Sequence, residues 1–286
     1  MADTSQVPVR ESVGAALRFA RENTRFIAMA AAVGAAVSAL AAALQLASPA
    51  FGVISSVAAG MVQAGVYAAL VSAALGLGAA GLAANAMRVW AAMVIIGFLL
   101  CIVVFVVSIP VAIALVAGPL GAYADQLQSA GNDEGAVLAI MTRFAQEQPM
   151  AVLVVTLFYT ALWMLITSRL YLAAPATVEF KRILTFETWA WTKGSALRIS
   201  AARLMLLLPA YALVSALGYL IGTPLGIDMF NPQSIVAVSQ SNPAGYLAYA
   251  AVQGFIGFAL YSALEAGLSS YLHKGLKPVE GPPPAA

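Results

Sequence analysis

The side chains that could do chemistry are few and far apart. His273 is the only histidine and Cys101 the only cysteine, so the chain offers no intrachain disulfide, no cysteine-based zinc site and no second histidine to complete a metal set. No H-E-x-x-H, G-x-S-x-G or P-loop pattern occurs. The acids Asp125, Asp133, Glu134, Glu147 and Asp228 lie in polar connecting segments, where carboxylates are solvated. Glu265 is the one acid inside a long apolar run, and a single acid without a base or nucleophile beside it makes no acid–base pair. Neither catalysis nor any cofactor or metal is expected.

One motif invites a stronger reading. Gly76-Leu77-Gly78-Ala79-Ala80-Gly81 matches the glycine pattern of dinucleotide-binding folds. That pattern works between a strand and a helix, with an acid about 20 positions on. Here the glycines end an alanine-rich run and no acid follows until Asp125. Close packing of helices by small residues explains them better, as it does Ala30, Gly34, Ser38 and Ala42, or Ala259, Ala263 and Gly267, each at fourfold spacing. Such stripes serve association within a chain or between copies, so a homo-oligomer stays open.

The elements that must carry these residues follow from composition. Hydrophobic residues make up 62% of the 286 and charged ones 9%, against about 25% charged in soluble domains. Mean hydropathy is +0.90. Apolar runs approach the ~20 residues that cross a bilayer as a helix. The fold class expected is therefore all-α, a polytopic integral membrane protein with about six transmembrane helices. The spans are Phe26–Ala47, a stretch within Gly52–Leu82, Val89–Ala117, Ala151–Ser168, Leu204–Ile221 and about Gly245–Leu272. Proline marks several boundaries: Ser48-Pro49 closes the first span, while Pro149 and Asn242-Pro243 open the fourth and sixth. Within the third, Pro110 predicts a kink.

Residues 1–25 form a cytoplasmic amphipathic segment with Val9, Val13, Leu17 and Ala20 on one face and Arg10, Arg18, Arg21 and Glu22 opposite. It reads either as an interfacial helix or as a lead-in to the first span. Residues 26–273 form one membrane domain, and 274–286 a proline-rich cytoplasmic tail expected to be disordered. With six spans, every one of the 14 Lys and Arg except Arg143 falls on one side. The positive-inside rule makes that side cytoplasmic, with both termini there. The net charge of +2 and the lack of a basic run interleaved with aromatics argue against a nucleic-acid partner. The lipid bilayer is the expected surrounding.

Arg88 and Trp90 mark an interface before the third span. The richest segment runs from Arg169 to Arg203. Pro175 is expected to stop the extension of span four, Gly194 to take a left-handed helix-end conformation, and Ser195 to cap the next helix. Phe180, Ile183, Leu184, Phe186, Trp189 and Trp191 beside Lys181, Arg182 and Lys193 then predict two short helices at the cytoplasmic headgroups. They serve either as an anchor or as a dock for a protein or lipid-headgroup partner.

Arg169-Leu170-Tyr171-Leu172-Ala173-Ala174-Pro175, followed by Glu179 and by Trp191-Thr192-Lys193-Gly194, resembles the cytoplasmic loop of bacterial six-span proteins similar to the membrane domain of glycerophosphoryl diester phosphodiesterases. Ala190 stands where that group often has serine, and no catalytic domain follows the last span. The resemblance implies an inner-membrane module without hydrolase activity. Glu265 lies ~8 Å from the midplane of span six at 1.5 Å per residue and needs company there. Arg203 is the expected ion-pair partner, with Arg88 and Arg169 as alternatives, and a substrate- or proton-binding role stays open. The functional expectation is a non-enzymatic membrane protein that organises or binds a partner or lipid. The alternative is a small-molecule transporter or part of one, for which the scarcity of buried polar groups is unfavourable.

Overall fold

A computed structural model of the chain describes residues 7–48, 51–78, 81–228 and 231–278. Pro49, Ala79, Ala80 and the end of the proline-rich tail lie outside the described residues. All regular elements described are helical: α1 Val9–Glu22, α2 Thr24–Ala47, α3 Gly52–Leu75, α4 Leu82–Ala117, α5 Ala124–Ala130, α6 Glu134–Glu147 and α7 Pro149–Arg169. They continue as α8 Ala173–Phe180, α9 Glu187–Trp191, α10 Ala196–Gly222, α11 Pro232–Ser241, α12 Pro243–Ile256 and α13 Ala263–Leu276. Six segments are long and apolar enough to cross a membrane: Thr24–Ala47, Gly52–Leu75, Leu82–Ala117, Pro149–Phe180, Ala196–Leu225 and Pro243–Leu276. The chain is an all-α membrane protein with six such segments among the described residues.

Their ends follow local chemistry. Gly76 takes φ +76° and Leu77 N–H bonds back to the Ser72 carbonyl at 2.8 Å, so the second segment, which lies within the Gly52–Leu82 stretch, ends at Leu75. The third starts at Leu82, earlier than Val89, and runs on through Pro110. Asn242 caps α12 by accepting from Gly245 N–H at 3.0 Å, with Pro243 in the first turn. Between α12 and α13 the sixth segment widens into a π-helical turn, Gly257–Ser262.

Contacts divide the chain into two compact units, one of Met1–Val94 and Ser168–Ala286, the other of Ile95–Thr167. In the first unit α2 packs on α3 and α12. A Cβ on Gly34 would stand 2.2 Å from the Phe258 ring, and one on Gly254 would stand 2.7 Å from Ser38 Oγ. These small residues let helices of the same chain approach closely. Tyr67, Leu70, Val71, Val89, Val178 and Ala266 share one buried core.

Helix α1 packs on α13 and α10. Its buried residues are Ser12, Val13 and Ala16, whereas Leu17 is 50% exposed. The apolar stripe expected from Val9, Val13, Leu17 and Ala20 is thus rotated, because small side chains let α1 seat against Gly267, where a Cβ would meet the Ala16 backbone at 3.1 Å.

In the second unit Asp133 caps α6 through Gly135 and Ala136 N–H, and Phe144 meets Tyr123 edge-to-face at 5.7 Å. Tyr123 donates to Glu147 at 2.5 Å while Arg143 holds the other carboxylate oxygen at 2.6 Å. Hydrogen bonding from Tyr123, then from Arg143, holds the Glu147 carboxyl below its ordinary value, and the same bond raises the Tyr123 phenol.

Candidate functional site

The loop between α7 and α10 is built inward from its turns. The chain breaks at Arg169, and Pro175 sits in the first turn of α8, so it opens the next helix where the sequence suggested a stop. Lys181 ends α8 with φ +55°, the one positive φ of a non-glycine among the described residues. Gly194 takes φ +81° between α9 and α10, and Ser195 occupies the N-cap position of α10 without a side-chain cap bond.

Helix α8 does not lie on a surface as a headgroup helix would. Ala173, Pro175, Ala176, Thr177 and Val178 are buried, and α8 packs on α3 and α13. The reason is its composition: small and β-branched residues on one face leave nothing to hold it in the headgroup layer, and they fill the space beside α3.

Three ties hold the loop. Thr192 is buried and its hydroxyl donates to the Arg169 carbonyl at 2.8 Å. The Arg169 guanidinium lies 4.9 Å from the Trp189 ring centroid, a cation–π stack. Glu179 accepts from His273 Nε2 at 2.5 Å and from Lys277 Nζ. His273 is fully buried between rings, with Phe180 at 6.1 Å and Trp191 at 6.0 Å. Its other ring nitrogen, Nδ1, is buried without a partner among the described residues.

The outer side of the same loop is of a different kind. Phe186 is 60% and Leu197 73% exposed, with Ile183 and Trp189 also exposed. Lys181 and Lys193 are exposed beside them. Exposed apolar side chains and ammonium groups along this stretch suit a headgroup layer or a partner's acidic surface.

A second group lies deeper in the first unit. Arg203 is buried; it donates to Ser168 Oγ at 3.0 Å, and its guanidinium stacks 4.7 Å from the Tyr171 ring centroid. Ser168 pairs with Ser200 at 2.9 Å, and Tyr67 with Ser269 at 3.2 Å. Tyr171 Oη donates to the backbone carbonyl of Glu265 at 3.4 Å. Glu265 is half-buried, and it interacts electrostatically with Arg203, Tyr67, Tyr171 and Tyr261. Among the described residues, the ion pairs within 4.0 Å do not include Glu265. The expected direct pair with Arg203 is therefore a longer-range coupling, because Ser168 and Tyr171 take the guanidinium. Arg88 bonds Asn85 Oδ1 at 3.1 Å and Arg169 stacks on Trp189, so each has a local partner.

The sequence points to Arg169, Glu179, Trp189, Trp191, Gly194 and Arg203, and carries Tyr171 and Thr192 only as members of a motif; it gives no role to Ser168, Tyr67 or Lys277 and no partner to His273. Ser168 and Ser200 at the ends of apolar runs were an available signal. Pairing across 94 positions was not. No protein-family model, curated protein or solved structure matches the chain.

Proposed function

We propose that this chain is a non-enzymatic integral protein of the bacterial inner membrane, with both termini cytoplasmic, that binds or organises a partner or lipid through the loop between α7 and α10. The supporting observation is the two-sidedness of that loop. Thr192, Glu179 and the stack of Arg169 on Trp189 anchor the loop, while Ile183, Phe186 and Leu197 stay exposed, as do Lys181 and Lys193. Exposed apolar patches of this kind mark interaction sites. The placement of basic residues along the sequence supports the cytoplasmic side. The test is a photo-crosslinking residue in place of Phe186 in the intact membrane. One protein or one lipid class should be recovered reproducibly, and the yield should fall when Lys181 and Lys193 are changed to Gln. Adducts with no reproducible partner overturn the reading.

A second reading, a small-molecule transporter or a component of one, draws support from the polar set around Arg203, Glu265, Tyr67 and Tyr171 within apolar helices. Uptake by proteoliposomes across a broad substrate panel tests it, and a flat response ends it.

A further inference from the structure

Helix α1 carries its charge on the side that its neighbours leave bare. Ser12, Val13 and Ala16 are buried, and the helix packs on α13 and α10, whereas Arg10, Leu17, Arg18 and Arg21 are exposed. At ~100° per residue, Arg10, Leu17 and Arg21 fall within ~40° of one another, and Gly14 falls beside them. Nη1 of Arg18 stands 3.8 Å from where a Cβ on Gly14 would be, so this guanidinium turns back toward the same flank. Glu11 and Glu22, also exposed, fall beyond Arg18 on the far flank. Among the described residues, the ion pairs within 4.0 Å include none of these three arginines. Their countercharge has to come from outside the helix bundle.

Close contacts of glycines fix the height of α1. A Cβ on Gly34 would strike Phe258 and one on Gly254 would strike Ser38, so the midpoint of α2, between Ala35 and Ala36, is level with Ile256 and Gly257. Gly267, whose Cβ would meet the Ala16 backbone at 3.1 Å, lies farther along the sixth segment. Ten residues separate Gly267 from Gly257, a rise of ~15 Å. Half of the hydrocarbon core is also ~15 Å. With α2 centred in the bilayer, α1 crosses α13 at the edge of the headgroup layer. Val13 and Ala16 share their core with Leu268 and Leu272 of α13 and with Ile199, Ala202 and Leu206 of α10. The helix therefore rests against the sides of α13 and α10, and its bare face looks outward from the bundle into lipid. Leu17, 50% exposed among arginines, suits that boundary, where arginine stems lie along apolar surface and their heads reach polar groups.

We propose that this flank of α1 binds the phosphates of anionic phospholipids through Arg10, Arg18 and Arg21, with Leu17 seated among the first acyl carbons. Guanidinium forks make directed, charge-assisted hydrogen bonds to phosphate. The net negative charge of the lipid supplies what the arginines lack within the bundle, so an anionic headgroup is preferred over a zwitterionic one. The surface uses no residue of the α7–α10 loop and stands or falls apart from that reading.

In nanodiscs of equal parts phosphatidylglycerol and phosphatidylcholine, native mass spectrometry of the full chain should find phosphatidylglycerol in clear excess among the retained lipids. Arg10→Gln, Arg18→Gln and Arg21→Gln should each cut that excess about fivefold, the equivalent of the ~1 kcal/mol that a basic residue contributes at an anionic surface. All three positions are exposed, so thermal melting should stay near wild type. Glu11→Gln should not lower the excess. The arginine effects should persist in a protein carrying Lys181→Gln and Lys193→Gln, which separates this surface from the loop. Depth is read independently: a fluorophore on Leu17→Cys, in a Cys101→Ser background, should be quenched by lipids brominated high on the acyl chain. Equal retention of both lipids, or retention indifferent to the three arginines, overturns the proposal. An unquenched label at Leu17 overturns it too, assigning the face to an acidic partner in the water phase.

Discussion

His273 Nε2 and Glu179 Oε2 stand 2.5 Å apart, joining the last helix to α8 across 94 positions of sequence. Lys277 reaches the other oxygen of the same carboxylate, so the end of the described chain, the final helix and the loop meet at one acid. His273 is fully buried, and removing one partner of a buried pair strands the other. Glu179→Gln should therefore lower stability in detergent by about 1–3 kcal/mol. His273→Gln combined with Glu179→Gln should cost less than the sum of the two singles. Strict additivity in thermal melting would show that the pair does not act as a unit.

Two turn positions of the loop should respond in opposite directions. Gly194 has φ +81°, where a β-branched side chain is strained, so Gly194→Val should reduce folded yield and cost about 1–3 kcal/mol. Lys181 has φ +55° while carrying a side chain, and its exposed position gives that side chain little packing to lose. Lys181→Gly should relieve strain and raise stability by up to about 1 kcal/mol, read as a modestly higher melting temperature. A lower melting temperature for the glycine variant contradicts this account of the α8 end.

The longer-range relation of Glu265 to Arg203 predicts unequal single variants. Arg203→Gln breaks the contact with Ser168 and the stack on Tyr171 and should cost more than Glu265→Gln, which breaks no direct ion pair among the described residues. The coupling between them should be smaller than the effect of Arg203→Gln alone. A larger loss of melting temperature in Glu265→Gln than in Arg203→Gln would place a direct partner on the carboxylate.

Acid should loosen α6 through Glu147. Its carboxyl is held below its ordinary 4.5, mainly by the Tyr123 hydroxyl and next by Arg143. A group whose folded value is depressed stabilises fully above its unfolded value and loses that contribution as pH falls through the folded one. Hydrogen exchange of the Tyr123–Glu147 segment should stay slow on acidification until below about pH 4.5, then quicken. In Tyr123→Phe the acid-dependent loss of protection should be smaller and complete at higher pH, because the main cause of the depression is gone. Superimposable profiles for the two proteins would refute the role of Tyr123.

Local chemistry determined the parts that depend on neighbours in sequence. Runs of about 20 apolar residues are long enough for hydrocarbon wherever they occur, and six were legible. Asn242-Pro243 starts a helix by its own cap, and Gly194 is the residue type that a left-handed turn accepts at no steric cost. Tertiary structure alone decided which faces of those helices meet. Helix α8 reads as interfacial because it ends in Phe180 and the basic pair Lys181-Arg182 follows it, yet its alanines, Pro175 and Val178 fit beside α3 and α13 and bury it. Leu17 turned outward because the small residues Ser12 and Ala16 allow closer approach to α13. Arg203 went to Ser168 and Tyr171, Glu265 stayed without a direct ion pair among the described residues, and His273 found Glu179. Hydropathy sets how far a segment sits in the membrane, but it is nearly blind to rotation about a helix axis when the whole circumference is apolar. Rotation is settled by which side chains are small enough to let backbones close and which polar atoms must find partners, and both depend on residues far away in sequence.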